Sequence, residues 1–182
     1  MLLLAVLVLM VVMSGYFSAT ETAFTSLNRI RLKSRADNGD KKAEKTLALA
    51  EDYDKLLSTI LIGNNIVNNV AATLSTLLFI KLIGQTNGPA VSTIVLTVVV
   101  LIFGEISPKS LAKESPEAFA MFSAPLLRLF MALLTPLNFL FGLWKKLLTL
   151  LFHKEQEEGI TDEELVTMVV EAEDQGGLDK EE

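Results

Sequence analysis

No cysteine occurs anywhere in this chain, and its single histidine, His153, stands at the far end of the last apolar stretch. These shortages exclude disulfides, thiolate zinc and iron–sulfur sites, a cysteine nucleophile, and a serine–histidine–aspartate triad deep in the apolar region. No charge precedes Glu21 and no cation precedes Arg29. The opening apolar run therefore lacks the basic start of a secretory signal, although Phe17-Ser18-Ala19 resembles a small-residue cleavage site. Basic residues flank apolar runs and are not interleaved with aromatics, so nothing resembles a nucleic-acid surface. With no credible nucleophile–base pair, an enzyme is not expected.

What is present is apolar residue in quantity, 51% of 182 positions, too much for an ordinary soluble domain of this size. The net charge of −6 conceals two regions. Residues 1–154 carry 15 basic against 10 acidic side chains, whereas residues 155–182 carry one lysine, Lys180, against 12 acids. A mildly basic membrane domain followed by an acidic cytoplasmic linker is the domain organisation this predicts.

Three spans are expected, at about residues 2–27, 56–83 and 90–106. Cations cluster after the first, from Arg29 to Lys45, and Lys109 and Lys113 follow the third. By the positive-inside rule the N-terminus is outside and the C-terminus cytoplasmic. Asp37-Asn38-Gly39-Asp40 should divide the first cytoplasmic connector into two short helices. Residues 118–152 have cations at both ends and prolines within. They are read as juxtamembrane or re-entrant helices bent near Pro136, giving three spans rather than four. Beyond them, Thr161-Asp162-Glu163-Glu164 carries an N-cap and first-turn acids, and predicts an acidic amphipathic helix ending at Gly176-Gly177. Leu178 to Glu182 reads as the start of another element, before a soluble cytoplasmic domain.

Two acids lie within the spans, Glu21 and Glu105. A carboxylate in a membrane segment costs roughly 2.5–3.5 kcal/mol on insertion scales, so it usually has a job. Glu105 lies in Gly104-Glu105-Ile106-Ser107-Pro108-Lys109. The proline should break the helix there and free backbone carbonyls beside the carboxylate. Glu21 could instead be neutralised by Arg29 or Arg31. Four asparagines lie within six residues of the second span. Asn64 and Asn68 share one face, and Asn65 and Asn69 a face rotated by about 100°. One stripe could hold a ligand and the other bond a neighbouring helix. Ser14, Thr22, Thr73, Ser75 and Thr97 are read as interhelical hydrogen bonds, and Gly63 as a point of close helix packing. Hydroxyl, amide oxygen, carboxylate and free carbonyl are hard donors that suit Mg²⁺, Ca²⁺ or Na⁺.

Three motifs then converge. Gly15-Tyr16-Phe17-Ser18-Ala19-Thr20-Glu21-Thr22-Ala23, Leu61-Ile62-Gly63-Asn64-Asn65-Ile66-Val67-Asn68 and Gly104-Glu105-Ile106-Ser107-Pro108-Lys109-Ser110-Leu111 occur in order. They resemble the first-, second- and third-helix signatures of the cyclin M / CorC family of magnesium transporters, over essentially the whole chain. The resemblance implies a homodimeric three-span domain with a juxtamembrane helical belt. A linker and CBS domains that bind ATP would follow, beyond the end of this chain. It also implies Mg²⁺ export in exchange for Na⁺. The ion would sit on Ser18, Asn68 and Glu105, with Gly104, Asn64 and Asn69 as neighbouring candidates. The competing expectation is a non-transporting scaffold, whose polar residues pack helices and present a cytoplasmic regulatory domain.

Overall fold

The computed structural model describes residues 1–151, and the expected acidic helix lies outside them. Two compact units divide the chain, Met1–Leu143 and Trp144–Glu182. The described residues are helical throughout, without strands, as the composition predicts.

Helix α1 (Leu2–Thr25) is 24 residues long, about 36 Å at 1.5 Å per residue, enough to cross a bilayer core of about 30 Å. It is the hub of the unit, touching α4 (Tyr53–Ile83), α6 (Ser107–Glu114) and α7 (Pro116–Leu133). Close approach is possible because the face it presents carries Gly15, Ala19 and Ala23, all buried. Phe17, Ser18 and Ala19 are buried within it. The Phe17 ring packs on Tyr16 and Phe130, with centroids 5.4 and 5.0 Å away. A Cβ on Gly63 would fall into that ring, so the glycine does permit the predicted close crossing.

The connector forms two helices, α2 (Arg29–Asp37) and α3 (Lys41–Glu51), divided at the predicted turn. Gly39 takes φ 88° there, a left-handed conformation that glycine adopts without strain. Asn28 caps α2 by accepting from the Arg31 amide, and Asp40 caps α3 by accepting from the Lys42 and Ala43 amides.

After a turn at Gly84, α5 (Gly88–Val99) begins a composite helix that runs on to Glu114. A buried bond from Ser92 Oγ to Ser75 Oγ, 2.7 Å, ties α5 to α4. The break predicted at Glu105–Pro108 does not occur. The helix instead widens into a π-helical segment, Val100–Ile106, and continues as α6. Ser107 remains helical at φ −63°, ψ −45°. A proline ring normally strikes the carbonyl four residues back, and a π turn is wide enough to absorb it without ending the helix.

Four helices among the described residues are long and apolar enough to cross a membrane: α1, α4, the composite Gly88–Glu114, and α7. The first three lie over the stretches 2–27, 56–83 and 90–106, the third running on to Glu114. The fourth, 18 residues long, lies in the stretch read as juxtamembrane. It is followed by α8 (Thr135–Leu151), with the turn at Leu134 close to the bend predicted at Pro136.

Candidate functional site

Ser14 and Ser18 are four apart on α1, and Asn64 and Asn68 four apart on α4, so each pair shares one helix face. Packing brings the two faces together. Ser14 Oγ donates to Asn64 Oδ1 at 3.1 Å, and Asn68 Nδ2 donates to the same oxygen at 3.4 Å. Asn64 is thereby saturated as an acceptor. Asn68 Oδ1 and Ser18 Oγ are buried and have no hydrogen-bond partner. An unpaired buried polar atom costs about 1–3 kcal/mol, and each such atom calls for an explanation.

The π-helical segment packs against the same stretch of α1. Gly104 is buried against α1, where a Cβ would lie 3.0 Å from Ser14 Oγ. A Cβ on Gly15 would lie 3.0 Å from the Phe103 carbonyl oxygen and 3.1 Å from the Pro108 ring. The Ser107 amide donates five residues back, to the Ile102 carbonyl. In that register Phe103 faces Pro108, which has no N–H to give. A carbonyl is therefore freed, as expected from Pro108, but by a change of helical register rather than by a break.

Glu105 follows Gly104 and is half-buried. Among the described residues it has no hydrogen bond or ion pair. Lys109, one turn on, is engaged elsewhere, 3.2 Å from Glu21. The expectation that Arg29 or Arg31 neutralises Glu21 is thus corrected. Packing of α6 on α1 brings Lys109 to Glu21, while the Asn28 cap turns both arginines away with α2. Arg29 then lies over the Tyr53 ring at 5.6 Å, and Arg31 reaches Glu117 at 3.5 Å.

The other asparagine stripe stands apart. Asn65 and Asn69 are exposed, and Asn65 Nδ2 donates to the Leu61 carbonyl of its own helix. Of the hydroxyls expected to bridge helices, Ser14 and Ser75 do so. Thr22 and Thr73 bond back to the Ser18 and Asn69 carbonyls, because the carbonyl four residues behind is always within reach. Thr97 is exposed.

Ser14 was legible as an interhelical hydrogen bond, and its bond to Asn64 bears that out. One feature escaped the sequence reading. Asn138 on α8 donates to Thr59 Oγ1 at 2.8 Å and keeps a buried, unpartnered Oδ1. Nothing in the sequence distinguished it. Among the described residues no three His, Cys, Asp or Glu side chains are grouped so as to hold a metal. An ion in this site would rest on one carboxylate and several neutral oxygens, a donor set for hard cations.

Residues 4–182 match the family model of the Cyclin M transmembrane N-terminal domain. Over 173 residues the chain is 38% identical to a UPF0053 protein of Haemophilus influenzae, covering 93% of this chain and 41% of that protein. It is also 38% identical over 166 residues to the UPF0053 inner membrane protein YfjD of Escherichia coli, covering 89% and 39% respectively. A UPF0053 protein of Synechocystis is 32% identical over 188 residues, covering 95% and 42%. The chain thus spans about two-fifths of the length of these relatives. It is a multi-pass membrane protein that belongs to the Cyclin M / UPF0053 family, with residues 4–182 corresponding to that family's transmembrane N-terminal domain.

Proposed function

We propose that this domain carries Mg²⁺ across the membrane through the pocket formed by α1, α4 and the π-helical segment. The observation that carries the reading is the set of unengaged oxygens. Ser18 Oγ, Asn68 Oδ1 and the Glu105 carboxylate, the three groups singled out by the family resemblance, are all left without partners here. Glu105 supplies charge, and Ser18 and Asn68 supply neutral oxygens. The Phe103–Gly104 backbone lies close by on the same wall, and Asn64 orients Asn68. One carboxylate leaves a divalent ion undercompensated, which suits a site that must release its cargo. Export, exchange for Na⁺, and control by ATP on CBS domains outside this chain follow from the family likeness. The cation-rich α2–α3 connector supports an N-terminus outside and a cytoplasmic C-terminus. A homodimer accords with the exposure of Asn65 and Asn69, since an amide facing lipid is costly and a second copy would cover it.

The scaffold reading draws support from the Ser14–Asn64 and Ser75–Ser92 bonds, which hold helices together. Those bonds leave Ser18 Oγ, Asn68 Oδ1 and the Glu105 carboxylate without partners. Calorimetric titration with Mg²⁺, beside Glu105→Gln and with Na⁺ as competitor, separates the two readings. Saturable binding that disappears in the variant is expected, with an unchanged thermal melt because Glu105 has no partner to lose. Equal binding by both proteins sinks the assignment.

A further inference from the structure

A second cavity, of about 470 Å³, lies between α3 and α7, away from the residues discussed above. Lys42, Lys45 and Arg128 stand around it, and Met121, Phe122 and Pro125 contribute apolar surface. All three cations are exposed. Among the described residues none of them has an ion pair. The acids of the two helices do not supply one: Glu117 serves Arg31, and Glu44 and Glu51 form no salt bridge. Phe122 is 74% exposed and lends the groove an apolar side beside the cations. Pro125, inside α7, has no N–H, which leaves the Met121 carbonyl without its helical donor.

We infer that this groove binds an anionic phospholipid of the cytoplasmic leaflet. The phosphate would lie among Lys42, Lys45 and Arg128, and an acyl chain along Met121, Phe122 and Pro125. Charge complementarity selects the headgroup, and the apolar floor selects an amphipathic ligand over a free anion. Location agrees with this. The cations of α3 belong to the basic connector that marks the inner face, and α7 is apolar enough to lie in the bilayer. Basic pockets at the cytoplasmic ends of membrane helices are a recurrent setting for such headgroups. The Met121 carbonyl adds an acceptor for a hydroxyl-bearing headgroup such as glycerol. Because α7 packs on α1 and α3, a lipid here would brace the helices around the ion pocket without touching it.

The test is native mass spectrometry of the purified protein in detergent, offered equal amounts of dioleoyl phosphatidylglycerol and dioleoyl phosphatidylcholine. The wild type should retain the glycerol lipid with about tenfold preference or more, and Lys42→Gln/Lys45→Gln/Arg128→Gln should lose that preference. Lys33→Gln/Lys41→Gln, which removes two cations of the same connector outside the groove, should keep it. Phe122→Ser should weaken retention of the lipid by several fold. Inorganic phosphate at millimolar concentration should not displace the lipid, and displacement would reassign the groove to free anions. Equal retention of both lipids by the wild type overturns the proposal. Equal loss in the control pair would reduce the effect to general surface charge and overturn it as well.

Discussion

Ser14 and Ser18 stand one turn apart on the same buried face of α1, yet only Ser14 has a bond to Asn64. Ser14→Ala should therefore lower stability by about 1 kcal/mol, seen as a lower melting temperature in detergent. Ser18→Ala should leave the melt unchanged or slightly raised, because it removes an unsatisfied hydroxyl, while weakening Mg²⁺ binding. A lower melt in Ser18→Ala with unaltered binding would argue for a packing role. Asp40 offers a different residue-level test, outside the spans. Its carboxyl is held below the ordinary carboxylate range by the Arg35 guanidinium, 2.8 Å away, and by the Ala43 and Lys42 amides. A folded pKa below the unfolded one means that the stabilisation is present above the unfolded value. It fades as pH falls through the folded value. The α3 N-terminus should thus fray under acid conditions, read as loss of amide protection at Lys42 and Ala43 relative to Asp40→Asn at each pH.

At the scale of elements, the π-helical segment converts a sequence liability into a feature of the candidate site. Pro108 and Gly104 were legible as a disturbance, and Glu105 as a carboxylate beside it. The form of the disturbance was not, because a proline can end a helix, kink it or widen it. Which outcome holds depends on what packs alongside. Here Gly15 leaves room for the Phe103 carbonyl and the Pro108 ring against α1. Pro108→Ala should restore an amide donor to this turn and engage a carbonyl now relieved of one. Mg²⁺ affinity should then fall by about threefold to tenfold, the worth of one hydrogen bond, with helix content unchanged. Calorimetry beside circular dichroism would check this, and unaltered affinity would remove the backbone from the site.

For the molecule as a whole, the lack of native cysteine makes dimer geometry directly testable. Asn69→Cys introduces a unique thiol on the exposed asparagine stripe. A short bis-maleimide should cross-link it in membranes if a second copy covers that face, whereas Leu82→Cys, also exposed but near the end of α4, should link far less. Comparable linking at both positions would place the interface elsewhere. Much of the architecture was readable before any coordinates, since run length and apolarity alone place α1, α4 and the composite helix. The turns at Gly39, Gly84 and Leu134 likewise follow from local chain chemistry. The acids, hydroxyls and amides of the candidate site were legible as polar groups, because such groups in membrane spans stand out against their surroundings. Their division into engaged and unengaged atoms was not, since Asn64, Asn68, Ser14 and Ser18 have similar chemistry and spacing. Nor could spacing pair Glu21 with Lys109, 88 positions away. Periodicity and cost of burial act within one segment, so the sequence determined the helices and their polar faces. Partnership arises between segments, so only the packing of α1 against α4 and α6 decided which oxygens were left free.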